Sequence, residues 1–322
     1  MLVRLLIVIS VICAPWMEGL AQEYPSRPIR LIVDGPTGGN NDIWARRYAA
    51  KLSESLRQTI IVENKPGASG TIAAEFVANS PADGYTVLFG GLNPIVAYPS
   101  AGGVVRFDPE KDFVPVAAGT LGFPLFVAGA KLGVRTFQEF VERARSQPEQ
   151  LTCATAGHAG VQHFACAMLG RLAGVKIRMV PYKGSSQALL DAANGTVDVA
   201  IGYTSELEPF TGATPRLVPL TALAPRRLPK FPGVPTLDEL GLKGLDLTSW
   251  AGFFVPRSTP RTIVDKLNAE AVNAMSQRDM KEWVDAVGAF FQPWSSVEFA
   301  RFVSEAQQRW KKMSADTGIR VE

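Results

Sequence analysis

Four times along this chain an apolar run ends in a short stretch of glycine and hydroxyl residues, and a helical pattern begins at once. IRLIV (Ile29–Val33) leads through Thr37-Gly38-Gly39-Asn40 into a helix expected over residues 43–56. TIIVEN (59–64) leads through Gly67-Ala68-Ser69-Gly70-Thr71 into residues 72–79. LTCATA leads through Ala154-Thr155-Ala156-Gly157 into a helix over 161–172, and IRMVPY (177–182) leads through Gly184-Ser185-Ser186 into 187–194. Strands that alternate with helices predict parallel sheets covered by helices, the α/β class.

Further strand-like runs fit the same frame: YTVLFG (85–90), VDVAIG (197–202), LVPLTAL (217–223) and LTSWAGFFV (247–255). The stretch over 113–129 is long enough for two strands, or for one that passes between two lobes. Thr136 with Glu139, Thr236 with Glu239 and Ser295 with Glu298 have capping-box spacing, and Thr259 precedes Pro260 as a cap before a proline at the first helical position. With 322 residues, 47% hydrophobic and 20% charged, the chain carries more apolar material than one compact domain expects to hold. Residues 22–122 form the first part of lobe 1, 123–224 form lobe 2, and 225–322, entered through the proline-rich stretch 224–235, return to lobe 1. Two crossover strands then make a hinge.

Residues 1–21 (MLVRLLIVISVICAPWMEGLA) read as an export signal: Arg4, an apolar run to Trp16, and small residues before a cleavage point after Ala21. The run falls short of the roughly 20 apolar residues that span a bilayer, so no stable membrane insertion is expected after cleavage, and the destination is the periplasm. Cys13 fits a lipoprotein signal badly. Cys153 and Cys166 remain; in an oxidising compartment they suit a disulfide, and two small buried residues fit as well.

A net charge of +3 with interspersed acids leaves no basic stripe for nucleic acid. His158 and His163 are five apart on a loop and the following helix, which does not favour chelation, and the cysteines lack zinc spacing. There is no G-x-S-x-G elbow and no HExxH. The glycine loop at 35–39 lacks both the Walker lysine and the dinucleotide fingerprint. No metal or cofactor is expected, and no enzymatic activity.

Each glycine-hydroxyl turn nonetheless offers backbone N–H groups at the positive end of a helix dipole. One such turn is an ordinary strand-to-helix connection; several facing one cleft form a site for a small anion. Micromolar binding needs roughly 8 kcal/mol, and a hydrogen bond from an amide to a carboxylate contributes on the order of 1.5–3 kcal/mol. A cationic side chain is therefore optional.

YPSRPIRLIV, GPTGGNNDIWAR, VENKPGASGTIAAE, SPADGYTVLFG, VPYKG with GTVDVAIG, and FPGVPTLDELG resemble, in order and spacing from Tyr24 onward, the extracytoplasmic solute receptors of the tripartite tricarboxylate transporter family, the Bug proteins. The resemblance implies a two-lobed periplasmic binding protein of the type II-like Venus-flytrap form, which binds a small carboxylate and passes it to a two-component membrane permease. It places the ligand around Thr37, Gly38, Gly39, Asn40, Asp42, Ser69, Gly70, Thr71, Thr155, Ala156, His158, Gly202 and Tyr203. Asp42 is also expected to stabilise its own helix, and Trp250, Tyr203, Trp44 and Lys183 could line the cleft. This chain departs from the family where Pro-Phe usually follows the first strand: it has Asp34-Gly35. An acid carrying a positive group that Asp34 could meet is one consequence, a larger or aromatic acid another. Two further readings stay open: a sensor that signals to a membrane kinase, and a secreted enzyme with Asp34 or His158 as base.

Overall fold

The structure is a computed structural model that describes residues 24–243 and 247–321; the expected export signal over 1–21 lies outside the described residues. Two five-stranded sheets organise it. The first takes β1 (Ile29–Val33), β2 (Ile60–Asn64), β3 (Thr86–Gly91), β4 (Phe113–Gly122) and β10 (Ser249–Pro256) in the order β2-β1-β3-β10-β4. The second takes β5 (Leu125–Gly129), β6 (Thr152–Ala156), β7 (Arg178–Tyr182), β8 (Val199–Gly202) and β9 (Leu217–Ala222) in the order β7-β6-β8-β5-β9. In each, a parallel trio is followed by one reversed strand, β10 or β5, so the sheets are mixed but mostly parallel. The long apolar run resolves into two strands, β4 and β5, broken at Phe123-Pro124.

Alternation along the strands decides which helix covers which face. In β1, Leu31 and Val33 pack with α1 (Asn40–Leu56) and α8 (Arg261–Ser276), where Trp44, Tyr48 and Leu267 are buried. Ile32 points the other way, into a cluster that includes Ala73 of α2 (Thr71–Ala78) and Phe299 of α10 (Ser296–Thr317). The same cluster continues into the second sheet through Phe126, Ile201 and α5 (Val161–Ala173), with Phe164 of α5 edge-on to Trp310 of α10 at 4.9 Å. On the opposite face of the second sheet α6 (Ser185–Asn194) covers Leu125, Val127 and Ala200. A short α3 (Tyr98–Ser100) follows β3, α4 (Phe137–Ser146) follows β5, α7 (Thr204–Leu207) follows β8, and α9 (Arg278–Val287) follows α8.

The expected caps divide. Thr136 and Ser295 accept from the N–H groups of Glu139 and Glu298 at the heads of α4 and α10. Thr236 and Glu239 exchange the reciprocal bonds, yet no helix develops, because Gly241 turns left-handed at φ 76° and Leu242 closes back on Leu237. Thr259 does not cap α8: its hydroxyl donates to the Pro256 carbonyl at 2.7 Å, and Pro260 itself is the N-cap. Cys153 on β6 and Cys166 on α5 are joined by a disulfide.

Candidate functional site

The carboxyl ends of β1, β3, β6 and β8 face one another across the gap between the sheets. After Val33 the chain turns Asp34 inward, where it is 8% exposed. Its carboxylate accepts from Asn41 Nδ2 at 2.6 Å and from the Gly91 N–H at 3.2 Å. Burial pushes Asp34 up to about 6 against the downward pull of these bonds. A solvent-facing turn residue would show none of this.

The second loop is left-handed over four consecutive residues, with φ of 122° at Gly67, 46° at Ala68, 53° at Ser69 and 88° at Gly70. For the two non-glycine positions this costs on the order of 1–3 kcal/mol each. The loop is held by contacts across the gap: Ser69 Oγ donates to the His158 carbonyl at 2.7 Å. The opposing loop is left-handed too, at Gly157 and Ala159. A side chain on Gly157 would collide with Ser69, its Cβ falling 2.3 Å from Ser69 Oγ.

Other bonds tie the two halves together. The Asn40 N–H donates to Glu206 Oε1 at 2.9 Å, Ser205 Oγ donates to Asn40 Oδ1 at 2.7 Å, and the Val161 N–H donates to Asn93 Oδ1 at 2.9 Å. Glu206 is only 4% exposed; it also accepts from the Ser185 hydroxyl and from the Tyr203 N–H. Burial pushes it up to about 7 in spite of these donors.

Between the halves lies a cavity of about 70 Å³, lined by residues 34–36, 39–41, 69–70, 92–93, 156, 162, 183–185, 203 and 249–250. Several helices start on it. The N-caps of α1, α2 and α6, namely Gly39, Gly70 and Gly184, are among its walls, as is Gln162 in the first turn of α5, whose N-cap is Gly160. None of these four helices has a side-chain cap, whereas α4 and α10, which begin elsewhere, are capped by Thr136 and Ser295. Glu206 and Asn93 already take the Asn40 and Val161 N–H groups; glycine caps leave the other first-turn amides and the positive dipole ends to a guest. Among the described residues the only basic side chain on the wall is Lys183, which is exposed.

Of the residues expected to surround a ligand, Gly39, Asn40, Ser69, Gly70, Ala156 and Tyr203 line this cavity. Thr37, Gly38, Asp42, Thr71, Thr155, His158 and Gly202 do not, and their own bonding accounts for several of them. Thr37 is exposed and turns its hydroxyl to Asn64. The Gly38 N–H is taken by Asp42, which is itself held by Arg46 and Asn64. Thr71 and Thr155 bond the carbonyls of Ala68 and Gly157. His158 contributes its carbonyl to Ser69 while its ring lies near His163, and Gly202 packs against Leu189 and Leu207. Trp250 and Lys183 reach the wall, while Trp44 borders a smaller neighbouring space and stacks edge-on with Trp283. Asn41 lies inside the first expected loop, between Asn40 and Asp42, and reaches the wall; Asn93, Gln162 and Glu206 were not anticipated. Glu206 had a readable signal, since it stands three residues after Tyr203 at capping-box distance.

Among the described residues no cluster of His, Cys, Asp and Glu could hold a metal ion, and no helix is long and apolar enough to cross a membrane. Two lobes closing on a polar cavity between the ends of their sheets define a solute-binding receptor of the periplasmic binding class. Residues 44–319 match the tripartite tricarboxylate transporter family receptor, and the chain belongs to that family. It is 34% identical over 295 residues to the UPF0065 protein of the tcbD-tcbE intergenic region of Pseudomonas sp. (strain P51), covering 90% of this chain and 86% of that one. It is 30% identical over 305 residues to BugT of Bordetella pertussis, covering 94% and 93%. Among solved structures, R. palustris Rpa4515 with adipate overlays at TM-score 0.87 with 30% identity, covering 92% of this chain and 99% of the other. MatC of Rhodopseudomonas palustris with bound malate overlays at 0.84 with 32% identity, covering 90% and 99%. A ligand-free solute-binding protein of the family from Polaromonas overlays at 0.62 with 27% identity, covering 91% and 99%.

Proposed function

We propose that this receptor captures a small carboxylate in the cavity between its lobes, holding it through backbone amides and hydroxyls at the mouths of α1, α2, α5 and α6, and delivers it to a two-component membrane permease. The observation that carries the reading is the contrast in capping: α1, α2, α5 and α6, which start on the cavity, begin with glycine and have no side-chain cap, while α4 and α10 begin with a hydroxyl that satisfies its own helix; the one-turn α7 starts there too, from Tyr203. Amides left without a side-chain cap suit an anion that comes and goes. The solved relatives with adipate and with bound malate support the same class of ligand. Export to the periplasm on the signal over 1–21, with cleavage after Ala21, belongs to this proposal, as do the lobe boundaries near 122 and 224.

A cavity of this size, closed by bonds between Asn40 and Glu206 and between Ser69 and His158, has to open before a solute enters. The closed form is then the one a permease reads. Calorimetric titration of the purified protein with mono- and dicarboxylates, amino acids and aromatic acids tests the reading. Micromolar heats are expected, together with a rise in melting temperature that follows from ~2.7 kcal/mol of added stability at a ligand concentration a hundredfold above Kd. No heat and no thermal shift across the panel would reject it.

A further inference from the structure

The cavity wall has a donor side and an acceptor side. The donor side is the set of helix mouths described above. On the acceptor side stands Asp34, among the described residues the only carboxylate on the wall, 8% exposed and paired with no basic side chain of those residues. The bonds it accepts, from Asn41 Nδ2 and the Gly91 N–H among them, come from neutral donors. Gln162 is on the same wall, 5% exposed, but its Oε1 is shut off from the space, so the acceptor that faces a guest is Asp34.

From this uncompensated carboxylate on the wall we infer that the cavity carries an ammonium subsite, and that the preferred solute is a short zwitterion, an amino carboxylate, with its carboxylate at the helix mouths and its amino group at Asp34. The inference rests on the receptor reading and narrows it. A dicarboxylate placed in so small a space would bring a second negative charge towards Asp34, which has no counter-ion of its own. A protonated amine brings the missing positive charge and up to three N–H donors. Burial raises the affinity of the Asp34 carboxyl for a proton, the response of a carboxylate held without a cation; an ammonium group supplies that cation.

The test compares solutes that differ only by an amino group: aspartate with succinate, glutamate with glutarate, β-alanine with propionate, and γ-aminobutyrate with butyrate. In at least one pair the aminated member binds the wild-type protein tenfold or more tightly by calorimetry. If the amine-free members bind as well or better in every pair that binds, the ammonium subsite is refuted while the carboxylate receptor stands. If neither series binds, both readings fall. Asp34→Asn retains the shape of the side chain and removes its charge. In that variant, checked for folding by its melting curve, the preference within the pair collapses towards one. An unchanged preference in folded Asp34→Asn overturns the assignment, and the wild-type comparison stands without the variant.

Discussion

Lowering the pH from about 8 to about 5 should make the unliganded protein more stable, the reverse of ordinary acid weakening. Asp34 and Glu206 are both buried, and neither pairs with a basic side chain of the described residues. A carboxyl whose folded pKa lies above its unfolded one binds more protons when folded over the interval between them. Stability therefore grows as pH falls through the folded value, is complete below the unfolded one, and is lost as pH rises. Asp34 moves from an ordinary 3.8 to about 6 and Glu206 from 4.5 to about 7, each worth ~3 kcal/mol over its whole interval. Between about pH 8 and about pH 5 the part realised is ~4 kcal/mol for the pair. His163 works against it: burial lowers its pKa, so its contribution falls as pH drops below the ordinary 6.5. The exposed carboxylates drawn down by partners, such as Glu239 by the Thr236 N–H and then Arg227, and Glu298 by Ser295, withdraw their support only in more acid solution. Urea denaturation at constant ionic strength in half-unit pH steps reads the effect directly. The midpoint rises towards pH 5, and Asp34→Asn and Glu206→Gln each flatten the rise. A midpoint that stays level or falls from pH 8 to 5 would refute the claim that these two charges are buried without compensation.

Three further outcomes follow from contacts already described. Gly184→Ala places a methyl group 2.2 Å from Pro36 Cδ across the gap, so the lobes cannot close: affinity for any bound carboxylate drops tenfold or more, and small-angle scattering of the saturated protein shows a larger radius of gyration than wild type. Reduction, or Cys153→Ser with Cys166→Ser, removes a link across 13 residues and lowers unfolding free energy by about 3 kcal/mol, measured by denaturant titration. Tyr48→Phe strips the buried hydroxyl that donates to the Gly119 carbonyl at 2.7 Å and costs about 1–3 kcal/mol in the same assay, with solute affinity unchanged.

The strands and most helices were legible because their signals are local. IRLIV and VDVAIG carry apolar runs bounded by turn residues, and Thr136 and Ser295 cap the helices they were expected to cap. The disulfide and the break of the 113–129 run into two strands were open alternatives that only three-dimensional placement decides. The reversed strands β10 and β5 could not be read, since direction depends on which neighbour a strand meets. At the site, the loops were found but not which of their residues face inward. Thr37 and Gly38 match the motif as well as Gly39 does, yet Asp42 and Asn64 claim them first. Gln162 and Asn93 gave no warning, because a polar residue near the head of a helix is unremarkable until the opposite wall is known. Asp34 did give warning, as a departure from the family's usual Pro-Phe.

On the proposed reading, the glycine-headed helices at the cavity would divide the labour of recognition between two kinds of atom. The grip would belong to peptide groups, which every residue possesses. Choice would belong to the few side chains set between those peptides, Asp34 among them. Such a receptor can change its diet by single substitutions while retaining its appetite for acids, and a genome could keep many copies tuned to different nutrients from one inherited frame.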